Sequence, residues 1–313
     1  MEEIRLHQFA EKLELLGYSK RAIADYPAYV RLFFRYLEEH EDIHTVEEIT
    51  PEHITGYHTY LQYNKRKNGC YLSSVTVRTR LGIIKTFYRV MCEEKLIEED
   101  LAAAIILPKR RKALPKHVPG EKEMAKLLDS VEPVNPITTR DRALLELLYA
   151  TAVRSEEARS LDVDHLDLIE KTLFVNGKGA KDRIVPVGEW VIPYLREYLK
   201  VVRPKLVNLR EPSALLFVSK NGRMITNCNL NDLVRKYCKR AEIENRITPH
   251  SFRHACATHL LKGGADIRYV QELLGHADLS STQIYTKIDI SFLKKAHRRY
   301  HPRERGNNGN RTA

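Results

Sequence analysis

Apolar side chains recur at helical spacing through the first third of the chain. The stretches with this spacing are residues 4–16, 19–39, 54–63 and 75–93. Each has apolar positions three and four residues apart, which is typical of an amphipathic helix. Gly17 suits a C-cap after the first stretch, Ser19 suits an N-cap before the second, and Ser73 or Ser74 suits one before the last. The pattern predicts a bundle of four or five helices that ends near Leu107.

After residue 120, helical stretches alternate with short apolar runs that are typical of strands. The predicted helices are residues 121–129, 139–150, one opened by 151–157, then 189–202, 227–241, one or more from Pro249 onward, and 288–300. Residues 172–175 and 183–187 are β-type runs, and 215–218 is a short extended piece. Residues 176–182 contain Asn and Gly, which suit a hairpin turn between the first two runs.

These patterns predict a mainly α chain with two domains. The first, residues 1–107, is a helical bundle, and the second, residues 120–313, is a mixed α/β but mostly helical domain with a small antiparallel sheet. Residues 108–119 between them hold three prolines, five cations and no acid. Such a composition is typical of a linker. Its charge favours a cationic strap along DNA over a solubilising spacer.

Charge is distributed unevenly along the chain. The net charge is +11 and the pI about 9.3, but residues 1–113 contribute only +1 and the remainder +10. The near-neutral first part still contains 40 residues, His53–Cys92, without a carboxylate. Such windows favour a surface that faces phosphates, although a solvated basic face is the alternative. The predicted DNA-binding residues are Lys65, Arg66, Lys67, Arg78, Arg80, Lys85, Arg89, Arg110 and Arg111.

Cysteine content and hydropathy indicate a cytoplasmic protein. The five cysteines are widely scattered and form no CxxC pair, so neither a zinc site nor a disulfide framework is expected. The longest apolar run, Leu101–Leu107, is far too short to span a bilayer. We therefore expect a cytoplasmic, nucleoid-associated protein with no membrane partner.

The candidate chemistry is concentrated between His250 and Tyr285. His250 and Arg253 are three residues apart, which places them on one face of a helix. His276 follows a Leu-Leu-Gly helix ending, and Tyr285 comes nine residues later. A tyrosine hydroxyl is a weak nucleophile at neutral pH, so attack on a phosphodiester needs neighbours that stabilise the developing charge. Arginine and histidine side chains supply such donors.

With Arg154, Glu157 and Lys178 added, the order Arg…Lys…HxxR…GH…Tyr resembles the tyrosine recombinase (phage integrase) family over nearly the whole chain. The segments HSFRHACATHLL and LLGH are especially similar to the bacterial Xer-type enzymes. The resemblance implies a SAM-like core-binding bundle followed by a catalytic domain. It also implies a site-specific DNA recombinase that cleaves and rejoins DNA through a 3′-phosphotyrosyl intermediate and a Holliday junction.

The resemblance also assigns roles to individual residues. Tyr285 is the nucleophile, and Arg154 and Arg253 clamp the non-bridging phosphate oxygens, for which the guanidinium fork is suited. His250 and His276 hydrogen-bond the phosphate or assist the tyrosine proton.

Lys178, in the predicted turn, is the general acid for the leaving 5′-oxygen, with Lys181 as its rival. Glu157 orients the site, with Glu156 as a second candidate for that role. The segment departs from the family pattern at Ala152, where a Gly is usual shortly before the arginine, and at Ala158, where a Leu follows the acid.

This mechanism implies no metal and no other cofactor. The implied partner is double-stranded DNA with short inverted-repeat core sites, held in a C-shaped clamp by a homotetramer on two sites or together with a related recombinase. Helix 288–300, with Phe292, Leu293 and Ala296 on one side, is expected to dock into a neighbouring protomer rather than onto its own domain. A type IB-like topoisomerase and a non-catalytic DNA-binding protein of the same fold are the alternatives.

Overall fold

The structure, a computed structural model, describes residues 2–64, 69–109, 117–177, 182–207, 213–275 and 290–305. The chain divides into two compact units, residues 1–114 and 115–313. No helix in these ranges is long and apolar enough to cross a membrane.

The first unit is a bundle of four α-helices within the described ranges. They are α1 (Glu2–Leu15), α2 (Lys20–Glu41), α3 (Pro51–Tyr63) and α4 (Ser74–Glu93). The side chain of Ser19 accepts a hydrogen bond from the amide of Ala22 at 3.2 Å, and that of Ser73 accepts one from Thr76 at 3.1 Å. Both predicted N-caps are therefore confirmed, and Gly17 adopts a positive φ of 73° after α1.

Aromatic side chains form the centre of this bundle. Phe87 of α4 contacts Phe9 of α1 and Phe34 of α2 edge-on, with ring centroids 5.2 and 5.8 Å apart. Phe33 of α2 packs on Tyr57 of α3 at 5.0 Å. All four helices thus share one core, as their amphipathic patterns predict.

The second unit is mostly helical, with one small sheet. Its helices are α5 (Glu121–Asp129), α6 (Pro136–Thr151), α7 (Ser155–Ser160), α8 (Ile192–Glu197), α9 (Arg203–Leu206), α10 (Asn227–Arg240), α11 (Pro249–Lys262), α12 (Ile267–Leu274), α13 (Ile290–Tyr300) and α14 (Pro302–Arg305). The strands β1 (Leu166–Asp167), β2 (Thr172–Val175) and β3 (Arg183–Pro186) form an antiparallel sheet in the order β1-β2-β3. The helix predicted at 189–202 begins at Ile192 and continues to Leu206, with a π-helical segment, Tyr198–Val202, between α8 and α9.

Helix α6 lies at the centre of this unit, and two of its buried polar side chains, Arg140 and Asp141, have partners inside the unit. Arg140 pairs with Asp141 and donates to the carbonyl of Val218 at 3.0 Å. Asp141 also accepts a hydrogen bond from the hydroxyl group of Tyr237 of α10 at 2.8 Å. Buried polar groups are tolerated in a core when each has such a partner.

The last carbonyls of α6 are capped by histidines of the C-terminal helices. His297 Nε2 donates to Ala150 O at 2.8 Å, and His301 Nε2 donates to Tyr149 O at 3.3 Å. Burial lowers the pKa of both imidazoles, so that the neutral rings serve as donors.

Helix α13 packs on its own unit in this structure of a single chain, and its docking into a neighbouring protomer stays a prediction. Leu293 and Ala296 of α13 are buried in the core of their own unit. The side chain of Phe292 lies outside the described residues. The hydrogen bonds from His297 and His301 to α6 provide the physical reason, since they satisfy carbonyls at a buried helix end.

Helix α14 is fastened to α6 by a buried carboxylate between two arginines. Glu146 is fully buried, and its Oε1 lies 2.8 Å from Arg142 Nη2 and 3.0 Å from Arg303 Nη2. The guanidinium of Arg303 lies 5.3 Å from the ring of Trp190, the single tryptophan of the chain. The fluorescence of Trp190 therefore reports on this unit.

Replacing Glu146 with Ala leaves Arg142 and Arg303 without their buried carboxylate partner and with only the largely exposed Asp129 between them among the described residues. We expect Glu146→Ala to lower the free energy of unfolding of this unit by about 3–5 kcal/mol, the range for breaking a buried ion pair. Urea unfolding of the full chain, followed by Trp190 fluorescence, measures the change. The matched control is Glu132→Ala, which removes an exposed pair with Arg240 at 2.7 Å and should cost less than about 1 kcal/mol. Equal losses in the two variants would contradict the role of Glu146.

Candidate active site

Arg154 follows a sharp break between two helices. Helix α6 ends at Thr151, Ala152 adopts a left-handed conformation with φ 51°, and Arg154 is the N-cap residue of α7. The helix predicted to open within residues 151–157 begins at Ser155, after Ala152 in the left-handed region has ended the hydrogen-bond pattern of α6. The departure from the family pattern at Ala152 therefore falls on a backbone position that favours glycine.

Glu157 is the hydrogen-bonding centre of this region. Its two oxygens accept from the backbone N and the Nη1 of Arg154, at 2.8 and 2.7 Å, and from both terminal nitrogens of Arg183, at 3.1 and 2.8 Å. Burial by itself raises the pKa of the Glu157 carboxyl group, but the hydrogen bonds from Arg183 and Arg154 outweigh it and lower the pKa to about 2. Glu156 is exposed, so the structure favours Glu157 over Glu156 as the orienting acid.

Arg253 lies buried between the ends of two helices. Its Nη1 donates to Ala152 O at 2.7 Å and its Nη2 to Leu274 O at 2.5 Å, at the C-terminus of α12. Burial lowers the pKa of this guanidinium to about 10, and the neighbouring cations Arg154 and Arg183 act in the same direction, against Glu157. Three guanidinium groups are thus close enough to repel one another, which is an arrangement that favours an anion.

His250 lies in the first turn of α11, whose N-cap is Thr248. It is exposed and packs edge-on against His254, with ring centroids 4.5 Å apart. His250 and Arg253 share this helix as predicted, but one is exposed and the other buried. The positive end of the helix dipole favours a negative charge near His250.

The remaining predicted catalytic residues lie outside the described residues. These are Lys178, its rival Lys181, His276 and Tyr285. Their immediate flanks are described: Val175 pairs with Arg183 across β2 and β3, so Lys178 and Lys181 fall in the connection of a β-hairpin. Gly275, which precedes His276, ends α12 with a positive φ of 61°.

Arg183 is a site residue that the sequence analysis missed. It is the first residue of β3, its side chain is 7% exposed, and it makes a two-pronged bond to Glu157. Its position in the strand could have identified it. Side chains two residues apart in a strand face the same side, and Val185 and Val187 are buried, so Arg183 also faces inward. A cation on the buried face of a strand needs a partner.

The predicted DNA-binding residues of α4 are only partly free to meet a phosphate. Arg89 is exposed and pairs with Glu93 at 3.1 Å. Arg78 donates to Pro108 O at 2.6 Å, and Lys85 donates to Ala103 O at 2.7 Å, so both side chains are half-buried. Arg78 and Lys85 thus bind carbonyls of the segment that folds back on α4, and their role in DNA binding stays a prediction.

Arg80 is also half-buried, with its guanidinium 5.5 Å from the ring of Tyr29. The other predicted DNA-binding residues lie outside the described residues: Lys65, Arg66, Lys67, Arg110 and Arg111. Throughout the described ranges, no group of three or more His, Cys, Asp or Glu side chains is placed to hold a metal ion.

Comparison with known proteins identifies both units. Residues 120–291 match the model of the Phage integrase family, and residues 6–98 match that of the Phage integrase, N-terminal SAM-like domain. Tyrosine recombinase XerD of Oceanobacillus iheyensis is 34% identical over 287 residues, which cover 92% of this chain and 94% of the relative. Tyrosine recombinase XerC of Bacillus subtilis is 40% identical over 233 residues, 74% of this chain and 76% of the relative.

Solved structures share the fold. The XerH site-specific recombinase bound to a palindromic difH substrate has a TM-score of 0.64 at 24% identity, covering 92% of this chain and 84% of that one. A lambda integrase (75–356) dimer bound to a COC′ core site has a TM-score of 0.66 at 16% identity, covering 91% and 99%. The Xer relatives are tyrosine recombinases and favour neither a topoisomerase nor a non-catalytic binder. With its N-terminal SAM-like bundle, its catalytic unit and its near full-length Xer relatives, the chain belongs to the tyrosine recombinase (phage integrase) family.

Proposed function

We propose that this site-specific recombinase cuts DNA by attack of Tyr285 on a phosphodiester and holds the product as a 3′-phosphotyrosyl bond. One observation carries the proposal: three guanidinium groups lie near one carboxylate. Arg154 and Arg183 donate hydrogen bonds to Glu157, and Arg253 is close enough to interact electrostatically with all three. This leaves an excess of positive charge beside Arg253 of α11, the helix that also carries His250 in its first turn. A phosphodiester supplies the missing negative charge.

The proposed reaction exchanges one phosphate ester for another. A bond forms between Tyr285 Oη and phosphorus as the bond from phosphorus to the 5′-oxygen breaks. Arg154 and Arg253 would stabilise the charge on the non-bridging oxygens, and His250 or His276 would accept the tyrosine proton or hydrogen-bond the phosphate. Lys178 would give a proton to the 5′-oxygen. Because the ester bond is conserved, a 5′-hydroxyl of another strand can reverse the step and complete the exchange.

Arg154 is suited to the role of a phosphate ligand. Its side chain is 46% exposed while Glu157 holds one edge of the guanidinium. The other donors of the fork remain available for phosphate oxygens. Arg253 uses two nitrogens on the carbonyls of Ala152 and Leu274, so its position is fixed before substrate arrives.

The proposed substrate is double-stranded DNA with short inverted-repeat core sites. The XerH and lambda integrase structures contain DNA sites, and the net charge of +10 over residues 114–313 suits a polyanion. In this proposal, residues 1–107 bind the core site, 108–119 form the basic linker and 120–313 carry out catalysis. Four protomers would hold two sites and exchange strands through a Holliday junction, with copies of this chain or a related recombinase as partners. The reaction would take place in the cytoplasm, at the nucleoid.

Removing the Tyr285 hydroxyl should abolish the covalent step without weakening DNA binding. We expect Tyr285→Phe to bind core-site DNA with the wild-type Kd and to form no covalent adduct, because the ring remains and only the nucleophile is lost. Denaturing gels of a nicked substrate, which traps the intermediate, measure the adduct. Tyr300→Phe in α13 is the matched control and should form adduct as the wild type does. Adduct formation by Tyr285→Phe would contradict the assignment.

The general-acid role of Lys178 can be separated from binding by changing the leaving group. We expect Lys178→Ala to slow cleavage by about 10²–10⁴-fold, the usual contribution of a positioned proton donor. A 5′-phosphorothiolate substrate should restore the rate, because a thiolate leaves without being protonated. Lys181→Ala is the matched control from the same turn and should cleave normally. The reverse pattern would transfer the role to Lys181, and a lack of rescue would exclude Lys178 as the acid.

A further inference from the structure

Arg183 joins three elements of the site through one planar side chain. Its terminal nitrogens bind Glu157, and its Nε donates to Leu273 O at 3.2 Å. Residue 183 itself begins β3, directly after the hairpin connection. One guanidinium thus links the hairpin, the start of α7 and the end of α12, and each of its three nitrogens donates at least one hydrogen bond.

The end of α12 is held by two arginines. Leu273 O accepts from Arg183 and Leu274 O accepts from Arg253, so two carbonyls that have no partner within the helix are satisfied by cations. Cations at a helix C-terminus are also stabilised by the helix dipole. A Cβ at Gly275 would lie 3.1 Å from Arg183 Cδ, so the backbone that leads to His276 runs directly against this side chain.

Charge balance gives Arg183 a second role. Arg154 and Glu157 alone would form a neutral pair, with little attraction left for a phosphate. Arg183 adds a further positive charge and occupies one side of both carboxylate oxygens. Burial raises the pKa of Glu157, and hydrogen bonds outweigh that effect and lower the pKa to about 2. The hydrogen bonds from Arg183 contribute the most to this lowering. Glu157 is then held with its remaining lone pairs toward Arg154.

We propose that Arg183 is a positioning residue for strand cleavage: through Glu157 it fixes the orientation and net charge of Arg154, and through Leu273 it fixes the end of α12 that precedes His276. This inference rests on the proposed function, because it assumes that Arg154 binds the scissile phosphate. Arg183 itself, with its nitrogens occupied within the protein, is not expected to touch DNA.

The first test compares single-turnover cleavage with DNA affinity. Arg183→Gln should slow formation of the covalent adduct by about 100-fold, the loss expected when a catalytic group is misplaced by about 1 Å, and should leave the Kd for core-site DNA unchanged. A wild-type cleavage rate, or a loss confined to the Kd, would overturn the inference. Arg203→Gln is the matched control: Arg203 is half-buried and donates to carbonyls of residues 213 and 215 in the same unit, so its loss should leave cleavage unchanged.

The second test asks whether Arg183 acts through Glu157. In a double-mutant cycle, Arg183→Gln with Glu157→Gln should cleave no more slowly than the slower single variant, because both changes break one interaction. Losses that multiply would show independent roles and overturn the inference.

A conservative variant separates positioning from folding. Arg183→Lys keeps the charge, but one ammonium group cannot bridge both carboxylate oxygens and Leu273 O. Its cleavage rate should fall between those of wild type and Arg183→Gln, and a rate no higher than that of Arg183→Gln would overturn the proposed charge contribution. If Trp190 fluorescence shows that Arg183→Gln does not fold, Arg183→Lys must still be slower than wild type, and a wild-type rate would overturn the inference.

Each assay includes wild type and Tyr285→Phe. Adduct from wild type but not from Tyr285→Phe, together with normal cleavage by Arg183→Gln, would overturn the role of Arg183 alone. No adduct from wild type would instead overturn the proposed function.

Discussion

The candidate site depends on one carboxylate that is shared between arginines. Without Glu157, the guanidinium groups of Arg154, Arg183 and Arg253 would lose the carboxylate that balances them among the described residues. The lowered pKa of Arg253 shows that burial and repulsion already disfavour its charged form. A phosphodiester relieves that repulsion, and more so as negative charge accumulates on its oxygens during attack. Interactions that strengthen in this way toward the transition state are those that accelerate a reaction.

Side chains that cap helix ends connect the arginine site to the rest of the unit. The end of α6 is capped by His297, His301 and Arg253, and the end of α12 by Arg183 and Arg253. His297 lies in α13 and His301 lies between α13 and α14, and α14 is also held to α6 by the ion pair of Arg303 with Glu146. The arginine site and the packing of the C-terminal helices therefore depend on the same helix. A charged or neutral donor at each helix end fixes the backbone from which the site residues project.

Most of the secondary structure was predictable from the chain because local rules govern it. Helix α5 has the predicted bounds, and the caps at Ser19 and Ser73 behave as their residue types suggest. Distant contacts decide what these local rules leave open. The carbonyl of Ala152 is satisfied by Arg253, about a hundred residues away, and helix α13 packs on its own unit through bonds to α6. The two-residue strand β1 is too short to show a period, so its pairing with β2 was missed.

The same distinction applies to the candidate site. Ordered motifs identified Arg154, Glu157, His250 and Arg253, and the structure brings the first two and Arg253 together. Motifs did not identify Arg183, because its role comes from a partner 26 residues away and from the end of a later helix. The inward-facing strand position of Arg183 indicates that the side chain needs an anionic or carbonyl partner. Only the fold identifies Glu157 and Leu273 as those partners. Arg78 and Lys85 illustrate the converse, since cations chosen by composition can bind carbonyls of their own unit.

The most direct test of the central claim is to identify the residue that becomes linked to DNA. Wild-type protein trapped on a nicked core-site duplex can be digested with nuclease and trypsin and examined by mass spectrometry. Trypsin releases residues 269–287, a peptide that contains both Tyr269, which is buried, and Tyr285. We predict a nucleotide joined through its 3′-phosphate to Tyr285 in the fragment spectrum. A nucleotide on Tyr269, on any other residue, or on no residue of the trapped protein would contradict the account.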